Sequence, residues 1–497
     1  MTGERGNRVW AAPAVVVILM VLPAAIALPA QTLTTLHSFD GTDGAYAVAP
    51  LVQATDGNLY GTTYAGGARN DGTIFKITPN GTLTTLHSFN GDPDGEWPSG
   101  RMVQATDGDL YGTTLYGGAS GSGGTVFKIT PAGTLTTLYN FCSQSGCTDG
   151  YDPDAGLVQG SDGSFYGATG GGGTGGACNG GCVTIFKITS GGALTTLYSF
   201  CSQIGCADGN TPIGLIWATD GNLYGTTSAG GTNNEGTVFK ITPSGTLTTL
   251  HSFDNTDGSG PSGLVQAANG NFYGTTSYGG ANSCLTVVGT YLGCGTAFKI
   301  TPNGTLTTLY NFCSQSGCTD GYNPAALLVR ATDGSVYGTS VYGGRSSCDI
   351  NGFLLGCGTI FKITQSGTLT TVVSFESVDG ESPWGGLVQD TNGNFYGTTS
   401  YGGNNGYGNG TVFSLSLGLG PFLETQPPFG KVGLAVKILG TNLKGATSVS
   451  FNGTPAVFKV ISPSEIGATV PDGAITGTVQ VVTPSGTLSS NVPFRVR

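Results

Sequence analysis

The dipeptide Tyr-Gly followed by Thr or Ala recurs seven times, with its Tyr at 60, 111, 166, 224, 273, 337 and 396, on average 56 residues apart. No other feature restricts the fold so strongly. A chain that repeats at such a period builds one small unit again and again, and buries its core by stacking neighbours. Around each copy the same words return in order. A segment such as Gly-Leu-Val-Gln-Ala (263–267) comes first, then an Asp-Gly or Asn-Gly turn, as Asp56-Gly57 and Asn269-Gly270. Leu-Tyr-Gly-Thr-Thr (59–63) follows, then a variable Gly-rich loop, Gly-Thr-Ile-Phe-Lys-Ile-Thr (72–78), a Pro-Asn-Gly turn (79–81) and Leu-Thr-Thr-Leu-His-Ser-Phe (83–89). Short words rich in β-branched and aromatic residues, bounded by Gly, Pro, Asn or Asp, read as strands joined by tight hairpins.

Four antiparallel strands in a unit of about 50 residues make a propeller blade, whereas β-solenoid coils repeat at about 20–30. The chain opens with a fourth-strand word, Leu33 to Phe39, and its last repeat stops after a third-strand word, Thr411 to Ser416. The N-terminal strand is therefore expected beside 411–416, where it would complete the last blade and leave no open edge. The fold class predicted is all-β: a seven-bladed β-propeller over 31–416, a linker at 417–420, and an immunoglobulin-like β-sandwich over 421–497. Alternating strand directions place the loops between second and third strands, and between blades, on one face. That face carries the length variation and every cysteine, and binding is expected there.

Gly at 88 of 497 residues excludes a helical bundle. Only 9% of residues are charged, and 29 acidic against 18 basic residues give a net charge of −11, so no basic footprint for nucleic acid exists. Arg5 and Arg8 precede an apolar run from Ala14 to Leu28, with Ala25-Ile26-Ala27 as a small-x-small cleavage pattern. Residues 1–30 read as a signal peptide, with no membrane span left after cleavage and a secreted or cell-surface location. Twelve cysteines in an exported chain imply disulfides. Close spacing predicts local bridges: Cys142–Cys147, Cys178–Cys182, Cys201–Cys206, Cys284–Cys294, Cys313–Cys318 and Cys348–Cys357.

After residue 420 the repeats give way to alternating words: Leu434 to Ile438, Ser448 to Phe451, Val457 to Ile461 and Gly477 to Val482. The block from Gly440 to Leu443, Ala446 to Gly453, Ile466 to Pro471 and Val479 to Gly486 resembles an IPT/TIG domain. The resemblance implies an immunoglobulin-like spacer or interaction module without catalysis. The words Asp-Gly-Asn-Leu-Tyr-Gly-Thr-Thr and Gly-Thr-Val-Phe-Lys-Ile-Thr resemble the GloVer-type, choice-of-anchor tandem repeats of exported bacterial proteins. That family is named for its varied C-terminal anchors, and this sequence ends in Phe494-Arg495-Val496-Arg497 without a hydrophobic tail or sorting word.

Candidate sites follow from residue chemistry. Glycoside hydrolysis needs two carboxylates at a defined separation. Glu96 and Glu381 follow Asp-Gly in two inter-blade loops flanking blade one, and are the catalytic candidates; solvated loop carboxylates are the bland alternative. An Asp-Gly pair recurs in every inter-blade loop, at Asp43, Asp94, Asp149, Asp208, Asp257, Asp320 and Asp379. These seven could attract calcium, the one cofactor considered, although an Asp-Gly turn explains them equally. Tyr46, Trp97, Tyr151, Tyr322 and Trp384 in the same loops are ligand-binding candidates, offering flat apolar faces with a polar handle. Tyr64, Tyr116, Tyr278, Tyr342 and Tyr401 open the loops between second and third strands. The three His, 37, 87 and 251, read as edge-strand packing residues, and the Lys of the Phe-Lys-Ile words as solvated. Trp217 and Arg330, which replace the Gln of the first strand, read as local packing changes. The function expected is an exported, non-catalytic scaffold for a carbohydrate or protein ligand. A carbohydrate-active hydrolase or lyase and a structural envelope protein are the alternatives.

Overall fold

The computed structural model describes residues 1–3, 31–119, 121, 123–174, 182–285, 289, 291–350, 352–404 and 408–497. Most of the expected signal segment (4–30) and Cys178 lie outside them. Among the described residues the chain is all-β apart from three single-turn 3-10 segments. Among the described residues no helix is long and apolar enough to cross a membrane.

The repeats form seven four-stranded antiparallel sheets. Sheet one runs Val52–Gln53, Leu59–Thr63, Thr73–Ile77 and Leu83–Ser88. Five further sheets repeat this order along the chain. Sheet seven takes Leu387–Gln389, Phe395–Thr399 and Thr411–Ser416 and, as its fourth strand, Thr32–Ser38 from the N-terminus. Leu33 there lies opposite Leu415. The first strands are shorter than their sequence words, two or three residues except in sheets four and five.

The recurring words have local causes. In each sheet the Gly of Tyr-Gly lies opposite the Phe of the third strand, as Gly61 opposite Phe75. A Cβ on that Gly would sit 2.5–2.6 Å from the Phe ring in all seven sheets, so any side chain there would displace a buried aromatic. The Tyr before it is buried, and its hydroxyl donates to the Asp of the first turn in five sheets, at 2.7–3.0 Å. Four lysines of the third strand are not merely solvated. Lys128, Lys187, Lys240 and Lys362 pair with turn carboxylates at 2.6–2.8 Å and lie 5.5–5.8 Å from the Tyr ring centroid.

Successive sheets meet through one repeated contact. The Phe that ends each fourth strand packs on the third-strand Phe of the next sheet, from Phe89 on Phe127 through Phe375 on Phe413. Phe39 packs on Phe75 in the same way, 5.3 Å between centroids, joining sheet seven to sheet one. A second contact is a Gln–Thr latch. The first-strand Gln accepts from the backbone N–H of a Thr in the preceding sheet, as Gln104 from Thr55 and Gln53 from Thr391. Three more latches use Gln159, Gln266 and Gln389. Sheets four and six carry Trp217 and Arg330 at this position.

The C-terminal residues form two further four-stranded sheets around a core of Val436, Ile438, Val449, Phe451, Ile466 and Val481. This unit docks on the ends of the first strands. Phe422 N–H donates to Thr391 O, Ser464 Oγ to Thr55 O and Arg495 Nη1 to Thr219 O, at 3.0, 2.9 and 2.7 Å. Arg330 Nη2 donates to Asn491 O at 2.8 Å, and Gln426 Nε2 donates to Gln104 O. The departure at Arg330 is thus an interdomain contact and not a local packing change.

Candidate functional site: a cavity between the first strands

A cavity of about 1660 Å3 lies between the first strands of the sheets and reaches the docked C-terminal domain. Its wall repeats one sequence position, two residues before the Val (Ile216 in sheet four) of the first-strand word. Pro50, Arg101, Gly156, Gly214, Gly263, Leu327 and Gly386 occupy it in sheets one to seven. Six of the seven line the cavity, and four of the seven are glycine. Arg101 is the one charge at this level. Among the described residues no side chain hydrogen-bonds or ion-pairs with its guanidinium. Water inside the cavity reaches it, yet protein encloses it, and this loss of bulk solvent lowers its pKa. Glu424, from the first strand of the C-terminal domain, also lines the cavity. Burial pushes its carboxyl up to about 7; the Arg101 charge opposes that rise and Asp390 adds to it. Sequence reading missed both residues. The signal for Arg101 was present: one arginine at a position otherwise held by Gly, Pro or Leu.

At the end away from the C-terminal domain, Tyr46, Tyr64, Trp384 and Tyr401 border the cavity. Tyr46 and Tyr401 touch edge to face at 5.3 Å, and Tyr46 and Trp384 are each 37% exposed, enough to offer a ring face to a ligand. The other aromatic candidates lie elsewhere. Trp97 is held between Tyr64 and Tyr116, at 5.2 and 5.3 Å. Tyr322 is buried against Tyr342, and Tyr151 covers Gly171.

The two catalytic candidates sit in separate loop environments and neither lines the cavity. Backbone bridges join Glu96 to Tyr116 and Glu381 to Tyr401. Burial, then Asp71 and Asp92, raise the Glu96 carboxyl, and Ser377 Oγ donates to Glu381. The Asp series has a shared task. Asp43, Asp94 and Asp257 lie 2.6–2.7 Å from Nε2 of His37, His87 and His251, and Asp149, Asp208 and Asp320 accept from Tyr139, Tyr198 and Tyr310 at 2.7–2.8 Å. Each pair ties an inter-sheet loop to the fourth strand before it. Before Asp379 the corresponding fourth-strand residue is Val373, which offers no such ring, and burial raises the Asp379 carboxyl. Among the described residues, the group with three or more metal-capable donors within 4.8 Å is Cys284, Cys294 and Cys313, all in disulfides. Five of the expected bridges are formed: 142–147, 201–206, 284–294, 313–318 and 348–357.

Comparison with known proteins agrees with the repeat words. The model for the Gloeobacter/Verrucomicrobia repeat matches residues 25–177, 143–288 and 284–422, and that for the IPT/TIG domain matches 423–496. The chain belongs to the Gloeobacter/Verrucomicrobia repeat family and carries an IPT/TIG domain at its C-terminal end. No curated protein matches it. Among solved structures, a fungal alcohol oxidase of the AA5 family in complex with copper is 13% identical with a TM-score of 0.50, over 94% of this chain and 98% of that one. A Bacteroides thetaiotaomicron protein of unknown function is 13% identical with a TM-score of 0.41, over 78% and 76%. At such identity the oxidase likeness concerns fold alone.

Proposed function

We propose that this chain is an exported, non-catalytic binding scaffold, a closed seven-bladed β-propeller that takes a glycan or protein ligand at the loop-bearing end of its central cavity. Closure is supported by the junction between sheets seven and one, which repeats the Phe pair and the Gln–Thr latch of other junctions. The binding reading rests on one observation above all: exposed rings of Tyr46 and Trp384 border a large cavity on the face with the variable, disulfide-pinned loops. Such rings suit sugar faces and apolar peptide side chains. Of the two ligand classes we favour glycan. The test is a polysaccharide array probed with residues 31–497, with and without calcium. Capture should disappear in Trp384→Ala while its melting curve stays that of the parent. Trp97→Ala should reduce stability through lost packing. A folded protein that captures no glycan would remove this reading.

A further inference from the structure

We propose that the cavity holds a small amphipathic carboxylate, its carboxyl group on Arg101 and its apolar body along the aliphatic wall. This goes beyond the loop-face reading and does not rest on it. A guanidinium that faces a cavity and has no protein partner keeps its donors available to an anion. Its planar fork matches a carboxylate with two parallel hydrogen bonds. Here the repeat has placed one such group on an otherwise uncharged level and left glycines at 156, 214 and 263 on the cavity wall beside it. Gly156 directly abuts Arg101, where a Cβ would fall 2.8–2.9 Å from its backbone N and Cβ. At Gly214 a Cβ would meet nothing within 4 Å, so the missing side chain leaves open space on the wall there.

The wall sets the rest of the ligand. Val52, Val158, Leu215, Ile216 and Val265 line the cavity, an aliphatic surface on which an apolar body would be buried. Titratable groups of both signs line the cavity. Glu424 stands near enough to Arg101 for their charges to interact, and Asp154 lines the cavity as well. Lys431, Arg495 and Arg497 of the C-terminal domain line the cavity too, so the single carboxylate is set by the one guanidinium on the aliphatic stretch of wall. The rings of Tyr46, Tyr64, Trp384 and Tyr401 make the entrance compatible with an apolar chain or ring.

The experiment is calorimetric titration of the full mature chain with decanoate, with 1-decanol and galacturonic acid trimer as matched probes. Decanoate should bind one molecule per chain, and about tenfold or more tighter than 1-decanol, the size of one charge-assisted contact. Arg101→Gly supplies the residue that four sister positions carry, and should lose the same factor for decanoate without changing 1-decanol. Arg101→Gln serves the same purpose if the glycine variant does not fold. Equal affinity for decanoate and 1-decanol, full retention in the folded Arg101 variant, no binding of decanoate, or preference for the sugar acid would each overturn the proposal. Glycan capture at the loop face is read separately on the array, so either proposal can fail alone.

Discussion

A one-residue difference in register decides what a side chain in the inter-sheet loops can do. The backbone bridges Ala45–Ala65, Glu96–Tyr116, Tyr151–Gly171, Tyr322–Tyr342 and Glu381–Tyr401 align the loops. Glu96, Glu381, Tyr151 and Tyr322 thus share one position, whose backbone is tied to the neighbouring loop. The next position is left-handed throughout: Tyr46, Trp97, Asp152, Thr211, Gly260, Asn323 and Ser382 have φ of 53–59°. Trp384 lies two residues further on, level with Val48, Ser99, Asp154 and Ile213, which line the cavity with it. Five aromatics that share a composition therefore occupy three positions. At the same scale, the Tyr-Gly glycine is a packing requirement: Gly225→Ala puts a methyl group 2.6 Å from the Phe239 ring. We expect a loss of about 1–3 kcal/mol from overpacking, measured by urea denaturation. A midpoint equal to the parent's would refute it.

Among elements, the N-terminal strand Thr32–Ser38 carries the most consequence per residue. It fills the fourth place of sheet seven, and Phe39 just after it supplies that sheet's half of the Phe pair. Phe39→Ala should cost about 3–5 kcal/mol, as for other buried aromatics, and should do so at a site 36 residues before Phe75 but against sheet seven as well as sheet one. Thermal melts of this variant beside Phe89→Ala provide the check: similar losses are expected, since both remove one half of a repeated pair. A much smaller loss at Phe39 would mean that the last sheet tolerates an open outer edge. The disulfides act on loops at this scale. Cys142–Cys147, Cys201–Cys206 and Cys313–Cys318 close the same Cys-x-x-x-x-Cys loop, in which the following Asp accepts from a fourth-strand Tyr. In three cysteine-free loops a His takes that Tyr's place.

For the molecule as a whole, the interface between repeats and C-terminal domain introduces a pH dependence. Glu424, raised to about 7, holds its proton in the folded state over a range where the unfolded chain has released it. Folding stability contributed by this group therefore falls as pH rises from about 4.5 toward 7, and the cost is complete above the folded value. Glu424→Gln removes it. The variant should match the parent in melting temperature near pH 4.5 and exceed it at pH 8. A parent advantage at pH 8 would show that the Glu424 charge is used, through Arg101, to hold the domain.

The sequence by itself determined the number of sheets, the strand order within each, the exchange of the N-terminal strand and the local disulfides described. These follow from period-two patterning, turn residues and short loop spacing, all local in the chain. It also held the Gly-for-Phe exchange, visible as Tyr-Gly beside Phe-Lys-Ile, though not its reason. Only tertiary structure decided that Arg101 and Glu424, 323 residues apart, share one cavity, that Arg330 leaves the Gln–Thr series to hold the C-terminal domain, and that Trp97 is packed while Trp384 borders the opening. Those outcomes depend on which residues the stacking of sheets brings to one wall. Repeat words specify every unit alike and carry no record of which neighbour, or which docked domain, a departing side chain will meet.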